Sequence, residues 1–541
     1  MQYNFSVLDY LIIAIYFVLA LVVGLFFTRS RKGIDQYFLA GRSMLWFVIG
    51  CSLFKTTVSS EHVIGYAESG YLEGFVAGNF AWEACFIVLI LGWFFAPIYV
   101  RNRLFTVPEF IEKRFGENSR WFISVLSIVV YVITKISVTL FSGAIFFELF
   151  LGWDRYTSSL VLVLISGMFT LASGFRGLLY THIFHTVVLI FCAIVITISC
   201  IHEAGGLSAF RNIPPEYYKV FKPVNDQNYP WTGMLLGAPI LGIWYWCTDQ
   251  FMVQRILSAK NIQEARRGSI FAGYLMLITP LILMIPGLMA YVKYGPNVLV
   301  GKTYYTIVSD MVPPGIKALG VAALLSALIS ALAACFNSTS TLFTLDVYKK
   351  LYPNADEFKT VTVGRLATIV SVIIGVIWVS FMGYFSDDII KHLQAVQSYI
   401  APLFTAIFLV GLIWPGANGK AAYVVMIIGS VLGFTRLALD IFSSYIPTKT
   451  FLYSLMQINF LHQAFFLFLL YVALMVIISL LTGKPKNENI HGVTFKYRHL
   501  ADTGYIEQLS EQQIKKGIKT DIISSVVLAV LLLSLWIFLM I

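Results

Sequence analysis

The chain has 541 residues, of which 58% are hydrophobic and only 12% charged. Soluble proteins run near 25% charged, so a soluble globular fold is excluded and a polytopic membrane protein is predicted. The formal net charge of +10 would suit nucleic acid, but the basic residues fall in alternate loops. That is the pattern that orients helical membrane proteins, so the expected partners are a lipid bilayer and a small-molecule solute, with no nucleic acid.

The first apolar stretch, 8–28, is long enough to span and is followed by Arg29, Arg31 and Lys32, so it reads as an anchor and not a cleaved signal. Fourteen spans of about 20 residues or more are predicted. They lie at 8–28, 45–71, 76–100, 120–151, 156–175, 180–202, 233–254, 269–292, 316–348, 362–383, 388–414, 420–441, 462–482 and 521–541. With the N-terminus outside, about 26 of the 38 Lys and Arg fall in cytoplasmic loops and about 10 outside. This predicts that both termini are external and leaves two lysines within the membrane, Lys55 and Lys135. The six cysteines, at 51, 85, 192, 200, 247 and 335, all lie in apolar segments without metal spacing and read as small buried residues.

Three spans are unusual. The second contains Ser52–Gly65, SLFKTTVSSEHVIG, a small and hydroxylated stretch that holds Lys55, Glu61 and His62. A span tolerates this only where its backbone is broken and its polar atoms face a cavity, and ionisable residues at membrane depth mark a solute or ion path. Glu61 has a second reading, as a cap on a half-helix N-terminus. The seventh span, GAPILGIWYWCTDQ (Gly237–Gln250), is interrupted by Gly and Pro and then crowded with aromatics; Asp249 and Gln250 are expected to close it at the cytoplasmic face. The ninth carries Ser326, Ser330, Asn337, Ser338, Thr339, Ser340 and Thr341.

The second and seventh spans are five apart. Interrupted spans at matching places in two halves point to an inverted repeat with the binding site between the halves. The expected organisation is 1–44 for the first span and its loop, 45–202 for one repeat, 203–232 for an external loop, 233–414 for the second repeat, and 415–541 for peripheral spans with a cytoplasmic loop at about 483–520. That loop is too short for a catalytic domain. No GxSxG, HExxH or P-loop occurs, nor a pair of carboxylates on one helix, so an enzyme is not expected.

At this point the residues resemble the sodium:solute symporter family, most of all its sodium–glucose branch. The resemblance is carried by DQYFLAGRSM (Asp35–Met44), LGWFFAPIYV (Leu91–Val100), TVPEFIEKRFG (Thr106–Gly116), TKISVTLFSGAIFF (Thr134–Phe147), WYWCTDQFMVQRILSAKN (Trp244–Asn261) and NSTSTLFTLDVYKK (Asn337–Lys350). It implies an all-α membrane fold with five-helix inverted repeats (a LeuT-like, APC-type core), alternating access, and sodium-driven uptake of a small solute.

The resemblance also implies site residues. The family's cation site maps onto the carbonyls of Lys55, Val58 and Ala327 and the hydroxyl positions Ser330 and Ala331, so one hydroxyl is missing. An acid and a glutamine on the sixth span map onto His182 and His185, which become candidates for a proton or cation path. In the solute site His62, Tyr245, Trp246 and Gln394 match the sodium–glucose branch, as Lys135 matches its animal members. A sugar-binding Glu maps onto Ala81, with Glu83 two residues on; a Lys onto Met276; an Asn onto Thr57; and a polar position onto Gly242.

These departures have a physical consequence. A fixed ammonium repels sodium by roughly 4 kcal/mol at 4 Å and effective dielectric 20, or about three decades of affinity. The expectation is therefore that Lys55 supplies the charge sodium would have supplied, with no cofactor and with sodium or protons as candidate coupling ions. In the alternative, the Lys55 side chain turns away toward Glu83 or another acid in the cavity, and the protein is an ordinary sodium:sugar symporter. The expected solute is a sugar or sugar-like compound, neutral or anionic. A solute sensor without transport is the reading from another class. The external loop 203–231 lacks the cysteines of animal relatives, which favours a bacterial inner membrane.

Overall fold

The computed structural model describes residues 7–28, 33–313, 316–379, 389–442, 446–447, 449–501 and 509–540, without the side chains of 149, 151, 378–379, 389–395 and 441. Those residues are helical almost throughout and form no strand beyond two isolated bridges. Helix is the expected outcome in lipid, where a backbone that cannot reach water must satisfy its own hydrogen bonds.

Among the described residues, eleven helical stretches are long and apolar enough to cross a membrane, against the fourteen spans expected. The counts differ for three local reasons. Arg155–Glu203 runs as one 49-residue helix but bends at Gly174, whose φ of 55° lies in the left-handed region. The half-helix beginning at Ser60 is continuous with the next span to Arg101. The segment from Trp231 to Leu257 is divided into pieces too short to qualify.

The helix Lys317–Leu342 and its extension to Leu351 lie at the centre, with 94% of the most apolar window buried, against 17% for Val7–Phe27 and for Glu511–Met540. The peripheral helices therefore face lipid, and the ninth span is the axis on which the others pack. Close packing around it relies on small residues, as is usual between membrane helices. A methyl group added at Gly287 would stand 1.9 Å from Ala67 O, and one at Gly70 would stand 2.4 Å from Met284 O.

The second span is broken into Trp46–Thr57 and Ser60–Glu73. The sequence explains the break locally: the Thr57 hydroxyl bonds back to Leu53 O at 3.1 Å, a side-chain competitor for backbone pairing. Val58 and Ser59 then leave helical geometry, with ψ of 85° and −170°. The seventh span also breaks, but not where expected. Its Gly-Pro region stays helical through Ala238–Ile243 and a π turn at Trp244–Thr248, and the chain leaves the helix at Asp249, with φ −87° and ψ 126°.

Asp249 therefore does not close the span. Its carboxylate accepts from Phe251 N at 3.0 Å and caps a second half-helix, Gln250–Leu257. The two broken segments are tied at one end by backbone pairing of Met44 with Ser258 and Lys260, both at 3.0 Å.

Candidate functional site

The two breaks face a cavity of about 160 Å³, many times the roughly 10–15 Å³ that one water needs. Seven of the residues expected at a solute site line it: Thr57, His62, Ala81, Glu83, Tyr245, Trp246 and Met276, with Gly242 beside them. The half-helix starting at Ser60 contributes Glu61 and His62 from its first turn, and the His62 ring lies 5.5 Å from that of Tyr66. Glu61 makes no side-chain cap bond; it faces the cavity. The Gln394 side chain lies outside the described residues.

Sequence reasoning missed several lining residues: Thr56, Ser59, Tyr66, Phe80, Thr139, Phe251 and Gln397. Two of them carried a usable signal. Thr139 is four residues after Lys135 and Gln397 three after Gln394, so each shares a helical face with a residue already singled out. Ala331 also lines the cavity, so the solute space extends to the ninth span.

Of the positions mapped to a cation, Lys55, Val58, Ala327 and Ser330 are not among the residues that line this cavity. Lys55 is fully buried, and its Nζ donates to Val58 O at 3.2 Å. It forms no ion pair with Glu83 and is not among the cavity-lining residues. The break in the helix frees the Val58 carbonyl three residues on, and Lys55 donates to it instead of reaching Glu83, while Glu61 of the cavity wall acts on the Lys55 charge. Ser330 is also engaged. Its hydroxyl donates to Ser326 O at 2.6 Å and lies 2.5 Å from His185 Nδ1. His182 sits on the other side of the same region, with Nδ1 2.8 Å from Ser52 Oγ. Both histidines are buried, and the Nε2 atom of each has no hydrogen-bond partner among the described residues. Ala327 is fully buried on the axial helix, and Ala331, the other hydroxyl position expected from the resemblance, carries only a methyl group.

The floor of the cavity is a knot of charge. Lys135 lies in a π-helical turn, Tyr131–Ile136, and its Nζ reaches Asp249 Oδ2 at 2.5 Å. Asp249 also accepts from the Tyr131 hydroxyl, which itself lies 3.0 Å from Phe251 N. The same ammonium stands 3.8 Å from the centroid of Phe251 and 4.7 Å from that of Tyr245, within cation–π range. Gln250, also expected at the closing end of the span, instead accepts from Val107 N at 2.8 Å and fastens the second half-helix to the loop helix Val107–Phe115.

Beyond it, Asp346 on the ninth span holds Arg120 and the Thr106 hydroxyl, the latter at 2.7 Å. The loop after the thirteenth span packs into this face, with Asn102 Nδ2 donating to Gly492 O at 2.8 Å and Phe495 N to Leu412 O at 2.9 Å. The arrangement encloses a cavity lined by polar and aromatic groups; among the described residues no group of His, Cys, Asp and Glu is placed to hold a metal by side chains.

Comparison with known proteins agrees with this geometry. The profile of the sodium:solute symporter family matches residues 37–429. The sodium/mannose cotransporter SLC5A10 of Bos taurus is 35% identical over 532 residues, covering 91% of this chain and 89% of that protein. Sodium/glucose cotransporter 1 of Oryctolagus cuniculus is 31% identical over 556 residues, covering 94% and 84%. Among solved structures, a sodium-coupled sialic acid symporter in a substrate-bound outward-open state superposes with a TM-score of 0.76 at 21% identity, covering 89% of this chain and all of that one. That likeness shows the fold: a LeuT-like core of inverted five-helix repeats with broken second and seventh spans. The relatives are transporters and not enzymes, and this chain, an integral membrane protein, belongs to the sodium:solute symporter family.

Proposed function

We propose that the protein is a secondary transporter that moves a small polar organic solute, a sugar or sugar-like compound, by alternating access, and that Lys55 stands in the place of the coupling cation. The observation that carries the second clause is the 3.2 Å hydrogen bond from Lys55 Nζ to Val58 O. Val58 O is one of the carbonyls the family offers to sodium. An ammonium seated on it neutralises the break between the half-helices as a bound cation would. It also repels a second cation by roughly 4 kcal/mol at 4 Å in an effective dielectric of 20. The absent hydroxyl at Ala331 and the His185 contact to Ser330 act in the same direction. His182 and His185 are the candidate path for a proton. The solute site in this reading is Thr57, His62, Ala81, Glu83, Tyr245, Trp246, Met276 and Gln394, floored by Lys135. The moving halves are the repeats 45–202 and 233–414, across a bacterial inner membrane with both termini external, as the basic loops support.

The second reading is an ordinary sodium-driven sugar symporter. It is favoured by the relatives, which are cotransporters of sodium with glucose or mannose, and it keeps the carbonyls of the site. The test is counterflow of labelled sugars in proteoliposomes with sodium replaced by choline. Wild type that ignores sodium, together with Lys55→Ala/Ala331→Ser that gains a sodium response, supports the built-in cation. Wild type that needs sodium refutes it and leaves the ordinary symporter. Specific binding without any counterflow would identify a sensor.

A further inference from the structure

The half-helix Ser60–Glu73 brings His62 to the cavity at one end and is fastened to a loop at the other. Glu68 accepts from Gly301 N at 2.9 Å with one carboxylate oxygen and from Thr303 N at 3.3 Å with the other. One turn on, the Tyr71 hydroxyl donates to Gly295 O at 2.7 Å and accepts from Val298 N at 2.9 Å. Two side chains three residues apart share a helical face, and here they hold the whole run that follows helix Ile262–Tyr294. That run has little else to hold it. Gly295 and Gly301 stand at φ of 58° and 82° at its two ends, and Leu299 and Val300 between them are 66% and 76% exposed. Its remaining bonds, Asn297 Nδ2 to Tyr294 O at 2.7 Å and Lys302 N to Leu299 O at 3.0 Å, stay within the segment. Between His62 and Glu68 the half-helix is a rod of about 9 Å, at 1.5 Å per residue. It lies backbone against backbone on Ile262–Tyr294, where a methyl group at Gly70 or Gly287 would strike a carbonyl oxygen. That seam has no side chains to part and serves as a pivot, whereas bonds to backbone N–H groups can be exchanged for bonds to water.

We infer that Glu68 and Tyr71 form a clasp that fastens the loop 295–303 of one repeat to the half-helix of the other, and that the clasp has to open before the half-helix can swing and admit solute to His62. Glu68 and Tyr71 are positioning residues: they act on His62 through the half-helix and do not touch the cavity themselves. This inference rests on reading the cavity as the solute site and the repeats as the moving halves, and it places one joint between those halves.

The experiment uses the purified full-length protein with His62→Cys as a reporter. The six native cysteines are buried, so a small water-soluble methanethiosulfonate reads the new thiol. Its labelling rate is measured alone and with Glu68→Ala, Glu68→Gln or Tyr71→Phe, and amide hydrogen exchange is followed over 295–303 in the same samples. Glu68→Ala should label about tenfold faster or more, as the loss of two hydrogen bonds to a carboxylate predicts, with faster exchange at the amides of Gly301 and Thr303. Tyr71→Phe should act in the same direction through the Val298 amide. Glu68→Gln keeps one acceptor oxygen and should fall between wild type and Glu68→Ala; with Tyr71→Phe it carries the test if Glu68→Ala does not fold. Amide exchange unchanged in Glu68→Ala overturns the inference, because the acid would not be holding the loop. Faster exchange with an unchanged labelling rate also overturns it, because the half-helix would not follow. So does acceleration shared by the native cysteines, which would mean general loosening. Neither readout needs a sugar, so absence of glucose and mannose counterflow in wild type refutes the solute reading and leaves these rates to decide the clasp.

Discussion

Removing the carboxylate of Asp249 tests whether the charged knot holds the seventh span in its broken form. Asp249 is 4% exposed and Lys135 9%, and breaking a buried ion pair from one side costs about 3–5 kcal/mol because the remaining charge is uncompensated. The two halves of the pair differ in what remains. Lys135→Met leaves a carboxylate supported by the Tyr131 hydroxyl and Phe251 N, and the upper part of that range is expected. Asp249→Asn keeps the cap acceptor and leaves the ammonium 3.8 Å from the Phe251 ring centroid. A desolvated cation–π contact of about 2 kcal/mol offsets part of that loss.

The double variant removes both charges, so it should recover stability relative to Lys135→Met, with a coupling energy of about 2 kcal/mol, within the range for contacting residues. The assay is thermal unfolding of the purified protein in detergent, followed by tryptophan fluorescence for wild type, both single variants and the double. Shifts in melting temperature that simply add would refute the argument, since additivity means the two side chains do not depend on one another.

Two further outcomes follow from the packing and from the charges on the loop helix Val107–Phe115. Gly287→Val should abolish monodisperse protein in size-exclusion chromatography, because its Cβ would stand 1.9 Å from a backbone oxygen that cannot move without shifting a span; a normal elution profile with unchanged melting would contradict the close approach. Burial pushes the Glu112 carboxyl up, but hydrogen bonds from Lys350 and Arg120 outweigh it and hold its pKa below the usual carboxylate value. Stability from this group is therefore present above about pH 4.3, the unfolded value, and is lost as pH falls through the folded value. Glu112→Gln should flatten the acid limb of a melting-temperature profile between pH 7 and pH 3, and an unchanged limb would place the acid sensitivity elsewhere.

The sequence by itself determined the class, the approximate span positions and the break in the second span. A run of hydroxyl and β-branched residues with a lysine in an apolar span is a local property, and its cost in lipid does not depend on what lies across the cavity. It also singled out part of the cavity wall, residue by residue through the resemblance. It misplaced the break in the seventh span, because Gly and Pro mark a weak helix whereas the chain bends where Asp249 finds Lys135 and Tyr131 on another span. Only tertiary structure decided that.

The direction of the Lys55 side chain was likewise undetermined in one dimension. Its acceptor is three residues away, but that carbonyl is free only once the helix has opened. The contact of His185 with Ser330 was invisible for the same reason: whether a buried polar group has a partner depends on which distant side chains lie beside it, and spacing along the chain does not specify that.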